Sequence, residues 1–159
     1  MRRLLVCAVI AMISVAGAAS IAFAADSDPV VGTWQLNVSK STFTSGPAFK
    51  SQTRTYSQSG DKLTLVMTTV GPDGKEVTTH TTYQLNGKDF PVTGAADYDS
   101  LSAKKINSNK AEFTLKKAGK EIGTTSRTVS ADGKTLTAKT NVTTAAGEKS
   151  QNTLVFDRK

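Results

Sequence analysis

Arg127 is the residue of this chain whose setting demands most of its surroundings. It stands two positions before Val129, so if Val129 faces an interior, the guanidinium points inward as well. Arginine keeps its charge at neutral pH and an unpaired buried charge is costly. An inward Arg127 therefore needs a carboxylate, either internal or brought by a ligand. The register one residue over would instead turn Ile122 and Thr124 inward and leave Arg127 in solvent. Arg54 and Tyr56 alternate along an earlier segment and share one face, which makes them candidates for lining the same interior.

Other chemistry-bearing residues are sparse. His80, the only histidine, shares a face with Glu76, Thr78, Thr82 and Gln84, the polar side of its segment, and has no nucleophile or orienting partner in its pattern. It reads as solvent-exposed. With one histidine, and Cys7 as the only cysteine, a transition-metal site is not expected. Asp97 and Asp99 flank Tyr98 and would suit a hard cation, but no Asp-x-Asp-x-Asp-Gly loop surrounds them, so they read as a polar turn. There is no G-x-S-x-G elbow, phosphate-cradling glycine loop or dinucleotide fingerprint, and hence no expected catalytic residue or cofactor.

The N-terminus sets the compartment. Met1-Arg2-Arg3 is followed by an uncharged stretch from Leu4 to Ala24 ending in Ala22-Phe23-Ala24. This is the pattern of a secretory signal, with cleavage expected before Ala25 and a periplasmic or secreted product. Residues 25–31 read as a flexible arm and 32–159 as a single domain. The processed chain of about 135 residues lacks cysteine, so its core must hold it together without disulfides. Its formal charge falls from +7 to +5 with the loss of Arg2 and Arg3, and its lysines are scattered along the chain. No stacking aromatics are interleaved with them, so a nucleic-acid partner is not expected. Nothing in the pattern sets an oligomeric state.

The elements that must position Arg127, Arg54 and Tyr56 are strands. Turn signals recur at Ser59-Gly60-Asp61, Pro72-Asp73-Gly74, Asn86-Gly87, Asn107-Ser108-Asn109, Ala118-Gly119, Ala131-Asp132-Gly133 and Ala145-Ala146-Gly147, mostly about 11 to 14 residues apart. Thr, Val, Leu, Tyr and Phe fill the gaps. Strands are expected at 32–38, 51–58, 62–70, 75–85, 98–106, 110–117, 120–130, 134–143 and 148–157, with a short extended piece at 88–92. Period two puts Trp34/Leu36/Val38, Leu63/Leu65/Met67, Val77/Tyr83/Leu85, Phe113/Leu115, Leu136/Ala138/Val142 and Leu154/Phe156 inside. Residues 39–50, with Gly46-Pro47, read as a loop or at most one helical turn. The expected fold is all-β: one antiparallel meander of eight to ten strands closed into a barrel. Its outward positions are hydrophilic, unlike those of an outer-membrane barrel, so no stable membrane insertion is expected after cleavage.

Gly32-Thr33-Trp34 opening such a meander resembles the calycins, the lipocalins and fatty-acid-binding proteins, in which this tryptophan packs across one end of the barrel. The resemblance implies a structural role for Trp34. Arg127 to Phe156 resembles the last strands of a fatty-acid-binding protein: an arginine, the Asp132-Gly133-Lys134 turn, a strand, a turn and a final strand. That likeness favours an inward Arg127. The helical lid of that family is replaced here by 39–50, and its R-x-Y pair by Leu154-Val155-Phe156. Gly32 to Asn37, Gly46-Pro47 and Gly87 to Gly94 resemble small uncharacterised secreted lipocalin-like proteins of proteobacteria, a likeness spanning nearly all of the processed chain.

Such a barrel implies a binding protein for a small amphiphilic or anionic, partly apolar ligand, with Arg127, Tyr56 and Arg54 at the ligand. The alternative is a protein-interaction module, such as a secreted inhibitor or envelope-associated factor, working through the 25–30 arm and the Gly-Pro loop. Enzymatic chemistry, which calycin-like barrels host occasionally, has no residue constellation here to support it. A solvent-linked cavity of a few hundred cubic ångströms would favour the first reading over the second.

Overall fold

The computed structural model of the chain describes residues 27–44, 48–143, 147 and 149–159. The expected signal segment and its cleavage point, Gly46-Pro47 and Ala145-Ala146 lie outside these residues. The described chain forms β1 (Gly32–Leu36), β2 (Thr42–Phe43), β3 (Ser51–Ser59), β4 (Lys62–Val70), β5 (Glu76–Tyr83), β6 (Asn86–Thr93), β7 (Ser100–Lys105), β8 (Lys110–Lys117), β9 (Lys120–Val129), β10 (Thr135–Thr143) and β11 (Lys149–Arg158). Apart from β2, each strand pairs antiparallel with the next, and β11 returns to β1 to close a ten-strand barrel. The eleventh strand, β2, pairs along β11 beside β1, with Thr42 opposite Thr153.

Alternation explains the elements. Along β8, Ala111, Phe113 and Leu115 are buried, and on the paired β7 so are Leu101 and Ala103. Polar partners face out, where threonine pairs such as Thr64 with Thr82 (2.9 Å) join neighbouring strands. Because the strands alternate in direction, two distinct barrel ends result. One gathers residues 28–31, the turns after β3, β5, β7 and β9, and the last residues of β11. The other gathers the β1–β3 connection and the turns after β4, β6 and β8.

The first end is closed. Trp34, Tyr83, Phe156, Leu136 and Val30 are its fully buried large side chains. Trp34 Nε1 donates to the Val30 carbonyl at 2.7 Å. The arm expected to be flexible is, from Asp28 to Val31, laid across this end. Arg158 fastens it, donating from Nη2 to Pro29 O at 2.6 Å and from Nη1 to Val31 O at 2.8 Å.

Several element ends differ from the sequence reading. The β1 strand stops at Leu36 because Asn37 turns the chain, its side chain accepting from Lys40 N to cap a 3-10 turn over Val38–Lys40. Val38, expected inside, is therefore 40% exposed. Val77 keeps its inward parity with Thr79, Thr81 and Tyr83 but is exposed, since it lies beside the hairpin at the other end. The expected Asn86-Gly87 turn falls at Gln84-Leu85, and the short 88–92 piece is the full strand β6. It meets β5 at only two positions, His80 opposite Thr93 and Thr81 opposite Val92.

Candidate functional site

The barrel encloses a cavity of about 560 Å³, which opens at the end formed by the turns after β6 and β8. Its walls carry Leu65, Met67, Leu101, Phe113, Leu115 and Leu154. Ala96, Asp97, Tyr98, Lys117, Lys120 and Glu121 line it toward the opening. Arg127, Tyr56 and Arg54 all stand on its wall, so the three sequence candidates share one chamber.

Arg127 faces the chamber because alternation runs unbroken from Gly123 to Val129, and a local irregularity in β9 adds Ile122 to the same wall. Phe113 pairs with Thr125 and Leu115 with Gly123, but the register then jumps so that Lys116 faces Glu121, leaving Ile122 as an extra residue. Both Ile122 and Arg127 consequently line the cavity while Thr124 is exposed. Neither of the two uniform registers describes this strand. Gly123 permits the bend, because a Cβ there would lie 2.2 Å from Asn141 O.

The Arg127 side chain is 3% exposed and lies toward the closed end. Its Nη1 donates to the Tyr83 hydroxyl at 3.0 Å and its Nη2 to Asp28 Oδ1 at 3.3 Å, while Nε has no partner among the described residues. The guanidinium carbon sits 5.6 Å from the ring centres of both Tyr56 and Phe113. Tyr83 packs edge-on against Phe113 at 5.5 Å. Burial pushes the Tyr83 phenol well above its ordinary value, with the Arg127 charge opposing it, so it remains a neutral hydroxyl.

Asp28 is thus the carboxylate that a buried Arg127 requires, supplied from within the chain. The sequence offered no sign of it, since it precedes the first periodic segment. Its placement comes from a local turn: Val30 N donates to Asp28 Oδ1 at 3.0 Å, and Asp28 N donates to Gln58 Oε1 at 2.7 Å.

Arg54 is differently placed. Its Nε donates to Gln52 Oε1 at 2.9 Å and its guanidinium carbon lies 4.5 Å above the Phe156 ring. No carboxylate among the described residues lies within ion-pair distance of it. Gln52, itself 3% exposed, is held by its Nε2 donating to Thr69 Oγ1 at 2.8 Å. Sequence reasoning missed Gln52, although its parity with Arg54 and Tyr56 placed it on the same face. Tyr98 lines the cavity close enough for the Arg54 charge to draw its phenol down, against a larger upward push from burial. His80 is exposed on the outer face, and Asp99 serves a turn, its Oδ2 accepting from Ala118 N at 2.8 Å. Among the described residues no group of three or more His, Cys, Asp or Glu is placed to hold a metal, and no helix is long and apolar enough to cross a membrane.

Zebrafish ileal bile acid-binding protein complexed with cholic acid is similar in structure at a TM-score of 0.50 and 13% identity, over 82% of this chain and 99% of the other. What the two share is the fold, a closed antiparallel β-barrel. A protein described as EF1p2_mFAP2b, bound to DFHBI, matches this barrel at TM-score 0.51 and 12% identity, over 82% of this chain and 94% of that one. The siderocalin Ex-FABP, described as having dual ligand specificities, gives 0.39 and 13%, over 82% and 74%. No protein-family model and no curated protein matches the chain. At such identities the likeness is one of fold.

Proposed function

We propose that this barrel is an exported binding protein that holds one small amphiphile in its interior. The observation that carries the reading is the cavity of about 560 Å³, open at one end and walled by both apolar and cationic side chains. That volume lies within the range of small-molecule sites, roughly 300–1,000 Å³. Phe113, Leu115, Met67 and Leu154 supply a surface for the apolar body of a ligand, Arg54 and Tyr56 supply polar groups on the wall, and Arg127 lies deeper, paired with Asp28. Solved barrels of this fold carry cholic acid and DFHBI, which supports a ligand of similar size.

Export is supported by Met1-Arg2-Arg3, the uncharged run to Ala24 and the Ala22-Phe23-Ala24 ending, and by the likeness to small secreted proteobacterial proteins. A periplasmic or secreted address follows. The test is a native mass spectrum of protein purified from the cell that makes it. The reading expects a chain lacking about 24 residues with one small molecule bound. A full-length, membrane-held chain would contradict export, and a processed chain that takes up no amphiphile would contradict binding.

A further inference from the structure

The cavity holds two arginines, one paired with a carboxylate and one not. Arg127 is paired: Asp28 Oδ1 lies 3.3 Å from Nη2, and their side chains are 3% and 9% exposed. Asp28 is not free to leave casually. Its backbone is tied to Gln58, its carboxylate closes a turn onto Val30, and Arg158 pins Pro29 and Val31 just beyond. The two charges cancel near the closed end. Arg54 has the neutral Gln52 amide and the Phe156 ring instead, with no carboxylate among the described residues within ion-pair distance; Asp97 and Glu121 line the same chamber without pairing with it. A guanidinium on the chamber wall with no carboxylate within ion-pair distance is the stronger site for an anion.

We propose that Asp28 is a built-in anion that occupies Arg127, so that the acidic group of a ligand is met at Arg54. Asp28 then acts as a specificity-determining residue although it need not touch the ligand. It removes the deeper cation from competition and sets the anionic group of the guest beside Arg54, Gln52 and Tyr98. The apolar body is left to face Tyr56, Phe113 and Leu115. This rests on the reading of the barrel as a small-molecule binder.

The test uses two fluorescent probes of similar shape, anionic anilinonaphthalene sulfonate and neutral N-phenyl-naphthylamine, titrated into the protein as its own cell exports it. Arg54→Met is expected to weaken the sulfonate about tenfold, the scale of one lost charged contact, while leaving the neutral probe within about twofold. Asp28→Asn should tighten the sulfonate about tenfold by freeing Arg127, again without moving the neutral probe. Asp28→Asn leaves a buried charge unpaired and the variant can fail to fold. The double variant Asp28→Asn with Arg127→Met removes the pair together, and should bind the sulfonate within about twofold of the parent. Sulfonate binding indifferent to Arg54→Met would overturn the proposal, as would a tenfold loss in the double variant. Failure of the parent to bind either probe would instead strike at the binding reading itself.

Discussion

The guanidinium carbon of Arg158 lies 4.2 Å above the Trp34 ring, while its Nη1 and Nη2 hold the carbonyls of Val31 and Pro29. This contact needs a residue without a side chain at Gly32, whose φ is +131° and where a Cβ would lie 2.6 Å from Arg158 Nη1. The Gly32-Thr33-Trp34 pattern therefore has a physical basis: glycine admits the arginine that covers the tryptophan. Together they shut one end of the barrel and make the chamber a pocket with a floor.

Trp34→Ala should destabilise the protein by about 3 kcal/mol, since the indole is fully buried and its Nε1 hydrogen bond to Val30 O is lost with it. Chemical denaturation measures this. A loss below about 1 kcal/mol would show that the closed end does not depend on this side chain.

Arg127→Met should cost about 3 kcal/mol, because it strands Asp28 beneath Tyr83. Adding Asp28→Asn should recover much of that cost, since removing both partners of a buried pair is far milder than removing one. A double-mutant cycle followed by denaturant unfolding checks it. Additive losses would mean the two residues do not act as a pair.

In alkali, Tyr83 and Tyr98 should resist ionisation. Burial raises both phenols above their unfolded values, with Arg127 and Arg54 respectively opposing the shift. A raised value means that the stabilisation is complete below the unfolded phenol pKa, about 10, and is lost as pH climbs above it. Tyrosinate absorbance from Tyr83 and Tyr98 should therefore rise together with loss of β-sheet circular dichroism. Ionisation of these two before any loss of sheet structure would contradict their burial.

Acid acts on the opposite sign at Asp157. Asn37 Nδ2 donates to it at 2.7 Å and Lys40 Nζ at 3.1 Å, and these hold its carboxyl below the ordinary value. Stability from a depressed carboxyl is present above its unfolded pKa, about 3.9, and is lost as pH falls through the lower folded value. Asp157→Asn should flatten the decline of melting temperature over that window and leave the neutral plateau little changed. An identical acid profile in the variant would exclude this contribution.

Much of the barrel was legible because its strands are long and period two survives in them: Phe113 with Leu115, Leu136 with Ala138, and Leu154 with Phe156 all face the interior as read. The misread positions lie where a strand ends. Val38 sits past a cap at Asn37, Val77 beside a hairpin, and Asn86-Gly87 inside β6. Arg127 was legible through its parity with Val129, whereas Ile122 was not, because the irregularity at Gly123 restarts the alternation. Asp28 left no trace, since its contact with Arg127 spans 99 positions and no short-range pattern encodes it. Arg158, at the end of the chain, was hidden in the same way.

The central claim is that the chamber receives a small guest, and filling it tests this most directly. Leu115 faces the cavity from β8, and Leu115→Trp would take up part of the space while leaving both arginines in the sequence. With N-phenyl-naphthylamine as the guest, the parent should bind one equivalent with micromolar affinity, and the filled variant at least about tenfold more weakly while keeping its sheet spectrum. Equal binding by both folded proteins would place the guest elsewhere and contradict the account.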